Sequence, residues 1–176
     1  MNTTEDYIQY FKTHSFSDIK NEYGRKSLNG EPLKKKIFNL DVVLSVLERD
    51  GMELGKLDLG SFLKIGPKAF KVALKQNGLA LQFIHHFNQT EELQLIAVSQ
   101  NGLALEHIRT ADSDLNSIIR KIEKRYLPRV VKAALIQNAA SFEIIKDVTP
   151  KVNKELFKDE FIGPLLRLHG EGNLRL

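Results

Sequence analysis

Five histidines, His14, His85, His86, His107 and His169, are the side chains of this sequence best suited to general-base or metal chemistry besides its carboxylates. Two of them are adjacent. On a helix the rings of His85 and His86 diverge, so they cannot grip one ion together unless a helix end or loop brings them round and a third ligand comes from elsewhere. Cysteine is absent, which excludes disulfides, thiolate metal sites and a thiol nucleophile. Glu91 and Glu92 follow Thr90, where first-turn acids serve the helix dipole rather than an acid–base pair. No Ser/His/Asp constellation, phosphate-binding glycine loop or H-E-x-x-H helix occurs. The sequence therefore reads as a non-enzyme, with no catalytic, cofactor-binding or metal-binding residues.

Binding is the remaining chemistry, and the basic side chains are its first candidates. Lys68, Lys71 and Lys75 fall at i, i+3 and i+7 of one helix, away from Ala69 and Ala73, while Arg120, Lys121, Lys124, Arg125, Arg129 and Lys132 crowd a later stretch. If both groups face one side, they form a patch able to steer an acidic protein surface, an anionic lipid headgroup or nucleic acid. The net charge of +4 falls short of a dedicated nucleic-acid binder. No aromatic platform for stacking bases lies among these side chains, which places a protein partner ahead of nucleic acid or lipid. Lys34, Lys35 and Lys36 read as the solvated side of an amphipathic helix.

What must position these groups is a repeat. Gln76-Asn77-Gly78-Leu79-Ala80-Leu81 returns as Gln100-Asn101-Gly102-Leu103-Ala104-Leu105 and, altered, as Gln137-Asn138-Ala139-Ala140-Ser141-Phe142. Ala69, Val72 and Ala73, then Leu93, Ile96 and Ala97, then Val130, Ala133 and Ala134 precede these copies in an i, i+3, i+4 stripe, so each copy begins as a helix. After each asparagine a second stripe follows, Leu81 and Ile84, Leu105 and Ile108, Phe142 and Ile145, and predicts a short second helix. The unit is a helical hairpin with almost no loop, and Asn77, Asn101 and Asn138 are its corners. Asparagine caps helices and tolerates left-handed angles. Ala139 stands where Gly78 and Gly102 do, so that position needs no positive φ and glycine serves there for size. On this reading an Asn77→Leu change destabilises far more than Gly78→Ala. The three glutamines, in line with core alanines, are expected to satisfy helix-end backbone groups of neighbouring units. An earlier copy is centred on Asp50, with Leu57 matching Ile84.

The chain of 176 residues, 42% hydrophobic and 27% charged, is expected to form a single all-helical domain over 1–176. Residues 1–31 form an N-terminal cap, with a helix capped by Thr4 and a second from Ser17 to Tyr23. The repeat region spans 32–147. Its first helix runs from Pro32 to Arg49 with Leu33, Ile37, Leu40, Leu44 and Leu47 inward, and an inserted helix at 113–126 explains the widened spacing before Asn138. Residues 148–176 supply a C-terminal cap helix ended by Gly163-Pro164, and a tail. β-branched alternation is absent, so the predicted fold is all-α: a short α-solenoid or helical-hairpin repeat bundle with capping helices at both ends. Met1 to Asp6 is acidic where a signal peptide would be basic, and no apolar run approaches ~18 residues, so a soluble chain without a transmembrane segment is expected.

Residues 73–81 and 97–105 follow A-Φ-x-Q-N-G-x-A-L, with Φ aliphatic. This pattern is similar to an uncharacterised family of short helical repeats found in secreted effectors of intracellular pathogenic bacteria and in some large-virus and protist proteins. The resemblance covers roughly residues 65 to 147 and weakens at Ala139, Ala140 and Ser141. It carries no activity over. It implies a protein of the bacterial cytoplasm that is exported into a host cell and acts by binding. A tail with Glu160, Glu171 and Leu174 fits the short C-terminal translocation signals of such effectors. The function expected is a protein-protein interaction module, an effector or a regulator of one; binding of nucleic acid or anionic lipid through the basic central helices is the alternative.

Overall fold

The computed structural model describes residues 3–18, 39–57, 59–109 and 127–145, with isolated positions at 158, 160, 163 and 164. It is helical, and no strand occurs among the described residues. The α-helices are α1 (Thr4–Tyr10), α2 (Leu40–Arg49), α3 (Leu59–Gln76), α4 (Glu91–Gln100), α5 (Leu127–Gln137) and α6 (Phe142–Ile145). Short 3₁₀ helices cover Gly51–Lys56, Gly78–Phe83, His86–Asn88, Gly102–His107 and Ala139–Ser141. In the units of Asp50, Asn77 and Asn101 the second helix is thus 3₁₀ in character, whereas after Asn138 a short 3₁₀ turn leads into α6, which carries Phe142 and Ile145. A stripe spaced by three is what a three-residue turn eclipses onto one face, so Leu81 and Ile84 both point inward.

Helices α2 to α5 pack each against the next, and the 3₁₀ helices after α2, α3, α4 and α5 do the same, giving two layers with the core between them. Counted from each corner residue, the positions eight, seven, four and three before it are buried in all four units: Val42, Val43, Val46 and Leu47; Ala69, Phe70, Ala73 and Leu74; Leu93, Gln94, Ala97 and Val98; Val130, Val131, Ala134 and Leu135. Leu54, Leu81 and Leu105 close the core from the 3₁₀ side. Val72, Ile96 and Ala133, expected in the stripe, pack at its margin.

Several boundaries differ from expectation. Thr3, not Thr4, caps α1, in a reciprocal box with Asp6. Helix α2 starts at Leu40, because Asn39 takes extended angles (φ −61°, ψ 131°) and accepts from the Asp41 N–H, so no single helix runs from Pro32 to Arg49. Leu40 is 36% exposed in consequence, and Val42, Val43 and Val46 fill the core. The second N-terminal helix begins at Phe16, one residue early, behind Ser15. Helix α3 is broken at Gly66, whose φ of 63° is a left-handed conformation suited to glycine, and Pro67 opens the segment that enters the corner. Gly163 and Pro164, expected to end a helix, are themselves helical. The inserted helix at 113–126, Lys34 to Lys36 and the tail lie outside the described residues.

Helix α1 covers the open side of α2. Tyr7, Phe11 and Phe16 bury their rings there. Two side chains from the first unit hold this segment: Arg49 donates to the carbonyls of Phe11 and His14, and buried Glu53 accepts from the Phe16 N–H at 2.9 Å. Glu53 occupies the place of Ala80, Ala104 and Ser141 in the other units, and its bonds to the Phe16 N–H and to Lys56 Nζ account for a carboxylate in the core.

Candidate functional site

An α-helix that stops abruptly leaves carbonyls without partners, and a 3₁₀ helix that starts abruptly leaves N–H groups likewise. Both occur at each corner. Asp50, Asn77, Asn101 and Asn138 adopt nearly identical extended angles, φ −146° to −151° and ψ 103° to 112°. Each side-chain oxygen accepts from the N–H two residues on, at 2.9 to 3.0 Å. The left-handed conformation that asparagine was expected to tolerate is not used; its capping oxygen is.

The remaining groups are satisfied by the following unit. Gln76 Oε1 accepts from the Gly51 N–H at 2.7 Å while its Nε2 donates to the Arg49 carbonyl at 3.0 Å. Gln100 binds Gly78 and Gln76 in the same way, at 2.6 and 3.2 Å, and Gln137 binds Gly102 and Gln100, at 2.5 and 3.2 Å. One amide therefore serves both orphan groups that flank a corner, because it carries a donor and an acceptor side by side on one planar head. Arg49 stands in the register of these glutamines and likewise reaches back, to the carbonyls at the end of the N-terminal segment.

The glycine after each corner has its own cause. A Cβ on Gly51, Gly78 or Gly102 would stand 2.3, 2.2 or 2.5 Å from the carbonyl oxygen of Ala73, Ala97 or Ala134 in the next unit. Glycine is there for size, as the sequence implied, but the close neighbour is backbone and cannot move aside. This close approach argues for the opposite of the expected ranking, in which the asparagine was the less dispensable residue. Ala139 is partly exposed, unlike the three glycines it replaces.

Gln89 was missed by sequence reading. Buried between units, its Nε2 lies 3.2, 2.9 and 3.1 Å from the carbonyls of Leu81, Ile84 and His107, its Oε1 accepts from the Arg109 N–H, and its own carbonyl accepts from Gln94. A glutamine just ahead of the Thr90 cap, outside the repeat period, carried no pattern by which to find it.

Of the basic patch, Arg120, Lys121, Lys124 and Arg125 lie outside the described residues. Lys68 and Lys75 are exposed on α3 and Arg129 on α5, but α4 packs between those helices. Nine residues before the corner the side chains run Asp41, Lys68, Glu92 and Arg129, alternating in sign, and Lys71 pairs with Glu92 at 2.5 Å. The described part of the surface is thus interleaved with acid. His85 and His86, expected to diverge, have ring centroids 4.1 Å apart, because His85 is the extended residue that precedes a 3₁₀ turn. His14 stacks on Tyr10 instead, and no group of three metal-ligating side chains converges among the described residues.

Beside His85 an open groove of about 280 Å³ is floored by Leu54, Leu57, Phe83 and Ile84, with His85 and Arg109 also lining it. No carboxylate, hydroxyl or thiol lines it, so it can receive an apolar side chain but supplies no acid–base pair. Phe87 follows His86 and is 76% exposed. Along the corner edge, two residues before each corner, Glu48, Lys75, Ser99 and Ile136 are all exposed, Ile136 by 62%.

Among the described residues no helix is long and apolar enough to cross a membrane. No curated protein and no solved structure is matched by this chain. Residues 70–110, which hold the second and third units from Phe70 onward, match a family described as a domain of unknown function, DUF4116.

Proposed function

We propose that the chain is a non-catalytic protein-interaction module, a short α-solenoid whose repeated residues build the scaffold and whose varied residues meet a partner protein. One observation carries this reading: the residues that recur between units are those engaged in corners and clamps, whereas the row Glu48, Lys75, Ser99 and Ile136 differs in chemistry at every step and is exposed at every step. A stack of near-equivalent units presents such a row as a continuous edge, the kind of extended surface that repeat proteins use for binding. The family resemblance supports a bacterial effector, or a regulator of one, as the setting.

The test is affinity capture with the full chain from host lysate and from co-expressed bacterial proteins, comparing wild type with a Glu48→Lys, Lys75→Glu, Ile136→Asp variant and with a control variant, Lys68→Glu. A partner kept by the control and lost by the row variant supports the proposal. A partner indifferent to the row, or lost only with Lys68, overturns it in favour of the basic surface.

A further inference from the structure

The corner creates a chemical hazard. Asparagine followed by glycine is the pair most exposed to succinimide chemistry, since a residue without Cβ hinders least the attack of its own nitrogen on the preceding side chain. The deprotonated backbone nitrogen of Gly78 would attack Cγ of Asn77, the Cγ–Nδ2 bond would break, and ammonia would leave. Water would then open the five-membered ring at either carbonyl, giving aspartate or isoaspartate. Size forbids any escape by substitution, because a Cβ at Gly78 or Gly102 would fall 2.2 or 2.5 Å from a backbone oxygen.

We propose that Asn77 and Asn101 are latent deamidation sites, held unreactive by the glutamine of the following unit. The nitrogen that must attack is the one whose hydrogen is held, Gly78 N–H by Gln100 Oε1 and Gly102 N–H by Gln137 Oε1. The asparagine oxygen is held as well, by the N–H of Leu79 or Leu103, and the extended angles are fixed from both sides. The fourth corner fits the same logic: no glutamine of the described residues is bonded to Ala139, and there the residue after asparagine carries a methyl group. Aspartate itself is harmless at a corner, since Asp50 caps Met52 in the same geometry. Isoaspartate would insert a methylene into the main chain and misplace the glycine, so a corner that opens for long becomes one that cannot close.

The experiment incubates full-length wild type, Gln100→Met, Gln137→Met and Ala139→Gly at neutral pH and 37 °C and follows each asparagine by peptide mass mapping with isoaspartate detection, using urea-unfolded wild type as reference. In folded wild type Asn77 and Asn101 should deamidate far more slowly than in the unfolded chain. Gln100→Met should speed Asn77 about fivefold or more, the factor equivalent to one neutral hydrogen bond, and leave Asn101 unchanged; Gln137→Met should do the converse. Ala139→Gly should make Asn138 the fastest of the three. Rates at Asn77 and Asn101 that rise together in either variant, a folded rate equal to the unfolded one, or an Asn138 as inert as Asn77 in Ala139→Gly would each overturn the proposal.

Discussion

Gly78→Ala adds one methyl group at a position that is not left-handed, and by backbone preference alone it should stabilise, by about 0.4–1 kcal/mol through the unfolded chain. The packing opposes this. The new Cβ would sit 2.2 Å from the Ala97 carbonyl oxygen and 3.1 Å from Gln100 Oε1, the atom that holds the Gly78 N–H. That carbonyl already accepts from the Asn101 N–H at 2.9 Å, so α4 cannot rotate it away without loosening the next corner. Overpacking costs about 1–3 kcal/mol, and loss of one or two clamp hydrogen bonds about 0.5–1.5 kcal/mol each. After the entropic gain the net loss lies between about 0.5 and 5.6 kcal/mol, with a midpoint of about 3 kcal/mol, a fall in Tm at that midpoint of roughly 6–12 °C for a chain of this size. Asn77→Leu loses a cap, about 0.5–2 kcal/mol, and should melt higher than Gly78→Ala. Thermal unfolding followed by far-ultraviolet circular dichroism, with Ala139→Gly as a control expected to fall by only about 1–4 °C, decides the matter. A Gly78→Ala protein melting within about 1 °C of wild type would refute the argument from close approach.

Gln89→Leu takes the amide donor from the carbonyls of Ile84 and His107 in a buried place, Leu81 keeping the Ile84 N–H, and should cost about 2–5 kcal/mol by urea unfolding, more than a typical single cap. The Lys71–Glu92 pair is largely solvated, so a double-mutant cycle should return about 0.2–1 kcal/mol and less at high salt. The Asp18 carboxyl is held below the ordinary aspartate range, first by the N–H of Ser15, which donates to it at 2.6 Å. A depressed value means that its contribution is present above the ordinary carboxylate range and lost as pH falls through the folded value; the stability difference between wild type and Asp18→Asn should therefore shrink in acid and stay flat from neutral pH upward.

The parts of this fold that the sequence makes legible are those repeated within it. Three near-copies of Gln-Asn-Gly locate the corners and predict the clamp, because an amide in line with core alanines has only helix-end backbone to bind. The 3₁₀ character of the second helices was present in the spacing of Leu81 and Ile84 but is separable from α only when the turn itself is seen. The cost of a methyl group at Gly78 depends on the Ala97 carbonyl of another unit, and no local pattern carries that. Asn39 caps the start of α2 within an apolar stripe that looks unbroken from Leu33 to Leu47, since a cap that interrupts a good stripe is outweighed by it in any reading of periodicity. Whether the basic groups share one side depends on register between helices, which cannot be counted along the chain; Glu92 enters between Lys68 and Arg129 only once α4 is placed.

The central claim is that the orphan backbone groups flanking each glycine-bearing corner are satisfied by a single glutamine of the following unit. Amide hydrogen exchange at Gly51, Gly78 and Gly102, read by nuclear magnetic resonance in wild type and in Gln100→Met, tests it most directly. All three amides should be strongly protected in wild type, and the substitution should expose Gly78 by about fivefold or more while Gly51 and Gly102 keep their protection. Gly78 protection unchanged by loss of the Gln100 amide would contradict the account.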